Sequence, residues 1–211
     1  MDFQTSLFEA APSGVGDFSQ IERRPLSDGA WVDVLRTWVP APDDVLETLV
    51  REVPWRAERR QMYDRVVDVP RLVHTYMLDE PLPHPLLAEA RDALSEHYLP
   101  ELGEPFRTAG CCYYRDGRDS VAWHGDTIGR GSTQDTMVAI VSLGDPRKLH
   151  LRPRVGGTGG GSGIAGIQIE MGHGDLLVMG GSCQRTWEHA VPKVAHAGPR
   201  ISVQFRPFNV F

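Results

Sequence analysis

His124-Gly125-Asp126 places an imidazole and a carboxylate two residues apart. In extended backbone such positions point to the same side, so both side chains can reach one cation. A second imidazole from a distant segment would complete two histidines and one carboxylate on one face of a ferrous ion, leaving three positions for co-substrates. The same spelling recurs at His173-Gly174-Asp175, and the third ligand decides between the two. His189 lies 65 residues beyond His124, room for several strands to cross a barrel and return, but only 16 beyond His173, little more than one hairpin. Asp175 also leads into the apolar run Leu176–Met179. The expected ligand set is His124, Asp126 and His189, with 173–175 as a structural turn.

Arg200-Ile-Ser-Val-Gln-Phe-Arg206 begins 11 residues after His189. Alternation puts Ile201, Val203 and Phe205 on one face of a strand and Arg200, Ser202, Gln204 and Arg206 on the other. Two arginines facing inward require anions, because an unpaired buried guanidinium is costly. The planar fork of arginine suits a carboxylate held through two hydrogen bonds. An exposed polar strand face is the plainer alternative for this segment alone.

Together these residues resemble the AlkB dioxygenases, closest to the subgroup with the animal DNA- and RNA-repair members. The stretch from Tyr114 through Trp123-His124-Gly125-Asp126 resembles the family segment that enters the iron site. Trp187-Glu-His189-Ala-Val-Pro-Lys193 and Arg200…Arg206 resemble its C-terminal half, and Pro70-Arg71-Leu72 with Tyr76 resembles the nucleotide-recognition region. The resemblance covers about residues 40–210. It implies Fe(II) on His124, Asp126 and His189, and 2-oxoglutarate with its distal carboxylate on Arg200 and the Tyr114 hydroxyl. Arg206 would support the end nearer the metal. It further implies that O2 and 2-oxoglutarate yield succinate and CO2 while an N-alkyl group is hydroxylated and leaves as an aldehyde. Three positions depart from the pattern: Cys112 and Ser202 stand where asparagines are usual near the co-substrate, and Ile128 stands about where an acidic residue meets the base. A thiol donates only weakly.

The elements that must position these residues follow from periodicity. The expected class is α+β, mainly β: a double-stranded β-helix, or jelly roll, with flanking N-terminal helices. Residues 1–30 mix Gly, Ser, Pro and charge and are read as a flexible arm, 31–104 as a helical, nucleotide-recognition part, and 105–211 as the jelly-roll core, with 31–211 forming one domain. Asp43-Asp44 before Val45, Leu46, Leu49, Val50 and Val53 predict one helix. Leu87, Ala90, Leu94 and Tyr98 after Pro85 predict a second, over 85–98. Short strands are predicted at 107–115, 120–123, 136–143, 147–152, 167–171, 175–179 and 200–206. The seven glycines of Gly156–Gly166 read as a hairpin tip, since no Gly-Lys-Ser/Thr follows them.

The 211 residues carry a net charge of −6, so no global basic field advertises nucleic acid. Locally, six arginines between Arg51 and Arg71, and Arg147, Lys148, Arg152 and Arg154, form basic clusters able to hold phosphates while a base is flipped into the site. Among the aromatics, Trp187 is a stacking candidate, Trp123 is expected in the core, and Tyr76, with Arg71, is the best candidate for a base or phosphate contact. Expected partners are alkylated single- or double-stranded DNA, or RNA. A hydroxylase acting on a small molecule or protein through the same iron site is the alternative reading. Three cysteines, two of them adjacent, fit no disulfide framework and point to a reducing cytoplasm. No apolar run approaches the roughly 18 residues of a membrane span. A monomer is expected. Finally, Gln4-Thr-Ser-Leu7-Phe8 resembles the short peptide by which bacterial repair proteins hold the sliding clamp, with Thr5 as its departure.

Overall fold

The computed structural model describes residues 14–62, 65–78, 80–154 and 165–210, and of residues 58–68 the backbone alone. The clamp-like Gln4, Leu7 and Phe8 and most of the glycine tract lie outside the described residues. In chain order the elements are β1 (Glu22–Pro25), β2 (Ala30–Leu35), α1 (Pro42–Glu52), β3 (Arg56–Met62), β4 (Arg65–Tyr76), α2 (Pro85–Leu102), β5 (Thr108–Tyr114) and β6 (Val121–His124). There follow β7 (Val138–Gly144), β8 (Arg147–Pro153), β9 (Ile167–Met171), β10 (Asp175–Gly181), the single turn α3 (Cys183–Thr186), β11 (Trp187–Val191) and β12 (Arg200–Arg206).

These strands form an antiparallel jelly roll of two sheets. The major sheet runs β1-β2-β10-β7-β12-β5-β4-β3 and the minor sheet β6-β11-β8-β9. One apolar core lies where α1 and α2 cover the major sheet; a second lies between the sheets. Strand β12 divides its side chains between them as alternation requires. Ile201, Val203 and Phe205 enter the helix-side core, while Arg200, Ser202, Gln204 and Arg206 line a cavity between the sheets.

Both predicted helices form for the expected reasons. Helix α1 opens on Pro42 with Asp43 and Asp44 in its first turn and Arg51 in its last, which suits the helix dipole. Helix α2 buries Leu87, Ala90, Leu94 and Tyr98 and runs four residues beyond the predicted end. Pro100 is accommodated in the last turn, and Gly103 closes the helix at φ +77°.

Two expectations are corrected. Residues 31–104, read as a helical part, hold β3 and β4 beside the two helices, and these strands extend the major sheet to its far edge. The arm assigned to 1–30 contains β1, which pairs with β2 from Glu22↔Val34 to Pro25↔Trp31. Its attachment is tertiary. Arg23 reaches Asp33 through two hydrogen bonds of 2.7 Å, and the Tyr98 hydroxyl donates to the same buried carboxylate at 2.8 Å.

Candidate metal and co-substrate site

His124 ends β6 and His189 lies opposite it on β11, the two being direct partners in the strand register. Asp126 follows on the loop leaving β6, its backbone N–H donating to Gln184 Oε1 at 3.0 Å. The ligand atoms of the three side chains lie within 4.8 Å of one another, and among the described residues no other group could hold a metal. His124 Nδ1 sits 2.8 Å from the Ala122 carbonyl. A carbonyl only accepts, so Nδ1 carries the hydrogen and Nε2 keeps its lone pair for a cation.

The charge states suit a cation. Burial pushes His189 down to about 3, with the neighbouring His124 acting in the same direction, so its imidazole is neutral. Burial also lowers His124. Burial alone would raise Asp126, but Arg206 and the two imidazoles outweigh it and hold the carboxyl at about 2. Arg206 Nε donates to Asp126 Oδ2 at 2.8 Å, leaving Oδ1 toward His124. Gly110 makes room for this arginine, since a Cβ there would stand 2.8 Å from Arg206 Nη1.

His173-Gly174-Asp175 is a turn between β9 and β10. His173 Nδ1 accepts from the Gly144 N–H at 2.8 Å, and Gly174 adopts φ +83°. Asp175 accepts from Arg36, from the Thr37 N–H and from the Gly172 N–H.

The cavity beside the metal group is lined by Arg71, Cys112, Tyr114, Arg200, Ser202 and Arg206 as well as both histidines. Arg200 is 2 % exposed. Its Nε donates to Ser142 Oγ at 3.1 Å, its carbon stands 5.2 Å over the Tyr114 ring, and its Nη1 is buried with no hydrogen-bond partner. A buried guanidinium with an unused donor in a cavity calls for an anion. A dicarboxylate reaching from Arg200 to a cation on the histidines satisfies both ends. Cys112 Sγ accepts from Arg71 Nε at 3.3 Å. The Ser202 hydroxyl accepts from Gln204 Nε2 at 2.5 Å, so the two departures expected near the co-substrate are both engaged with neighbouring side chains.

The comparisons agree with this geometry. Residues 36–206 match the family model described as 2OG-Fe(II) oxygenase superfamily. The chain belongs to that superfamily. Its similar curated proteins include alkB homolog 3, an alpha-ketoglutarate-dependent dioxygenase. The Bos taurus protein is 33% identical over 78% of this chain and 60% of its own length, and the Homo sapiens protein 32% over 80% and 62%. The Arabidopsis thaliana DNA oxidative demethylase ALKBH2 is 36% identical over 58% of this chain and 43% of its own length. The chain thus spans about 60% of the length of the alkB homolog 3 proteins. Among solved structures, OsALKBH1 superposes with a TM-score of 0.57 at 14% identity, covering 88% of this chain and 100% of that one. A Burkholderia pseudomallei oxidoreductase of the 2OG-Fe(II) oxygenase family does so at 0.57 and 14%, covering 83% and 84%. These two share the fold. Fe(II), 2-oxoglutarate and O2 are the superfamily's reactants, and the ligand set and the Arg200 donor fit the first two.

The outer residues are placed differently from expectation. Trp187 is 2 % exposed, its indole N–H directed to the Ser27 carbonyl, so it offers no face to a base. Tyr76 is 8 % exposed and belongs to the helix-side core. It is five residues from Arg71 on one strand, an odd separation, so when Arg71 faces the cavity Tyr76 faces away. Trp123, expected in the core, is 37 % exposed. The Arg152 guanidinium lies 4.1 Å above its ring. Two partners carried no sequence signal: Ser142, which holds Arg200, and Gln184, which holds the backbone of Asp126.

Proposed function

We propose that this chain is an Fe(II)- and 2-oxoglutarate-dependent dioxygenase that removes N-linked alkyl groups from bases of DNA, with RNA as a second substrate. The observation that carries the chemistry is one cavity with a facial His124–Asp126–His189 group and the unsatisfied, buried Arg200 facing it. With Fe(II) and 2-oxoglutarate bound, the site would supply the oxidant that inserts one oxygen atom of O2 into a C–H bond, the other leaving in succinate as CO2 is lost.

The chain's own residues do the rest. Arg200 and the Tyr114 hydroxyl fix the distal carboxylate, while Arg206 holds Asp126 ionised and oriented. Leu149, Met171 and Leu177 add apolar walls to the same cavity. Hydroxylation turns an N-methyl into N-hydroxymethyl. That group loses its hydroxyl proton as its C–N bond breaks, so the carbon departs as formaldehyde and the base nitrogen keeps the bonding electron pair.

The nucleic-acid substrate is supported by the similarity to proteins named AlkB homologues and DNA oxidative demethylase. It is also supported by the exposed Trp123 with Arg152 stacked on it, and by Arg71 in the cavity lining. Residues 4–8 would tether the enzyme to a bacterial sliding clamp. Succinate formation with Fe(II) should rise several-fold when an N-methylated oligonucleotide is added and stay at its basal rate with the unmethylated strand. Equal turnover with both strands, accompanied by hydroxylation of a small molecule or a peptide, would replace this reading.

A further inference from the structure

The arginines near the site differ in what meets them. Arg206 pairs with Asp126, Arg185 with Asp135 and Arg152 with Glu188. Arg147 donates to the carbonyls of Asp116, Asp119 and Pro192. Arg200 bonds Ser142 and faces the co-substrate cavity. Arg154 has none of these: among the described residues nothing accepts from its guanidinium, no carboxylate pairs with it, and its Nε is buried without a partner.

Its backbone fixes where that cation stands. The Arg154 N–H donates to the Thr186 carbonyl at 2.8 Å, tying the end of β8 to α3. Its Nη2 lies against Gly125, where an added Cβ would be 2.8 Å from it and 2.5 Å from the Gln184 carbonyl. Gly125 separates two members of the metal group. Any larger residue there would push the guanidinium away. Arg154 does not line the co-substrate cavity, so the dicarboxylate is not its partner. A guanidinium keeps its proton in proteins, and a partly buried one without an acceptor needs an anion from outside. Its planar fork matches two oxygens of one phosphodiester. Two residues back along each strand, Trp123 and Arg152 form the stacked, exposed pair, so an aromatic surface lies beside this cation.

We infer that Arg154 binds a phosphodiester of the substrate strand, the one flanking the nucleotide whose base enters the cavity. This rests on the proposed nucleic-acid substrate, and the test separates the two. The wild-type protein, Arg154→Ala and Arg154→Lys are compared in binding a fluorescent oligonucleotide over a range of salt. Each is then compared in turnover of an N-methylated oligonucleotide and of the matching N-methylated nucleoside, which has no phosphate. Arg154→Ala should weaken oligonucleotide binding and raise its KM about tenfold, the scale of one charge-assisted contact. It should also lower the salt slope by about one, with partial recovery in Arg154→Lys. The nucleoside should show a much smaller change.

Wild-type binding and salt slope in Arg154→Ala would overturn the inference. So would equal losses on nucleoside and oligonucleotide, which would make Arg154 a packing residue around Gly125. So would a wild-type protein that binds no oligonucleotide. A wild-type protein that binds the strand through Arg154 but demethylates nothing would instead leave the contact standing and remove the dealkylase reading.

Discussion

Two His-Gly-Asp triplets of identical spelling stand in different surroundings. At 124–126 the imidazole Nε2 and a carboxylate oxygen are left for a cation; at 173–175 both side chains are used in holding a turn. Accordingly His124→Ala, Asp126→Ala or His189→Ala should each abolish stoichiometric iron in metal analysis and turnover with it, while circular dichroism keeps its native form. His173→Ala should keep its iron and lose about 1 kcal/mol of stability, the net value of one hydrogen bond. The reverse pattern would exchange the roles. For Arg200→Ala the expected outcome is a 2-oxoglutarate KM raised at least tenfold, since a buried charged contact of this kind is worth about 1.5–3 kcal/mol. An unchanged KM would move the co-substrate elsewhere. These residues were legible because spacing, order and alternation are local properties. Ser142 and Gln184 were not, because strand register brings the first to Arg200 and the α3 turn brings the second to Asp126.

At the scale of elements, segments with clean periodicity were readable and those shaped by tertiary pairing were not. Residues 85–98 announced α2 through apolar spacing of three and four. Strand β3, Arg-Ala-Glu-Arg-Arg-Gln-Met, shows no apolar alternation, and its pairing with β4 makes it a strand. Strand β11 is five residues long and begins directly after α3, so the sequence marks His189 as a candidate ligand without marking its strand. Strand β2 buries Asp33, which breaks its apolar pattern, and that burial is tolerated because Arg23 and Tyr98 both bond the carboxylate. Arg23→Ala should therefore lower stability by about 1–3 kcal/mol by leaving a buried charged acceptor under-bonded. A urea midpoint equal to wild type would show that β1 contributes nothing to the fold.

For the whole molecule, a net charge of −6 leaves the proposed polyanion contact to single groups such as Arg154. No described helix is long and apolar enough to cross a membrane. The N-terminal peptide of residues 1–12 should bind a bacterial sliding clamp in the micromolar range or weaker, given the small area a Leu-Phe pair buries and the ordering it requires. Leu7→Ala with Phe8→Ala should eliminate that binding by fluorescence anisotropy, and equal binding of the two peptides would end the clamp assignment. The central claim is that one iron site, fed by 2-oxoglutarate on Arg200, oxidises an N-alkyl group on a nucleic-acid base. Its most direct test is the stoichiometry of a single reaction containing Fe(II), 2-oxoglutarate, O2 and an N-methylated oligonucleotide. Succinate, formaldehyde and demethylated strand, each quantified by mass spectrometry, should appear in a one-to-one-to-one ratio. Succinate accumulating while the strand keeps its methyl group would contradict the account.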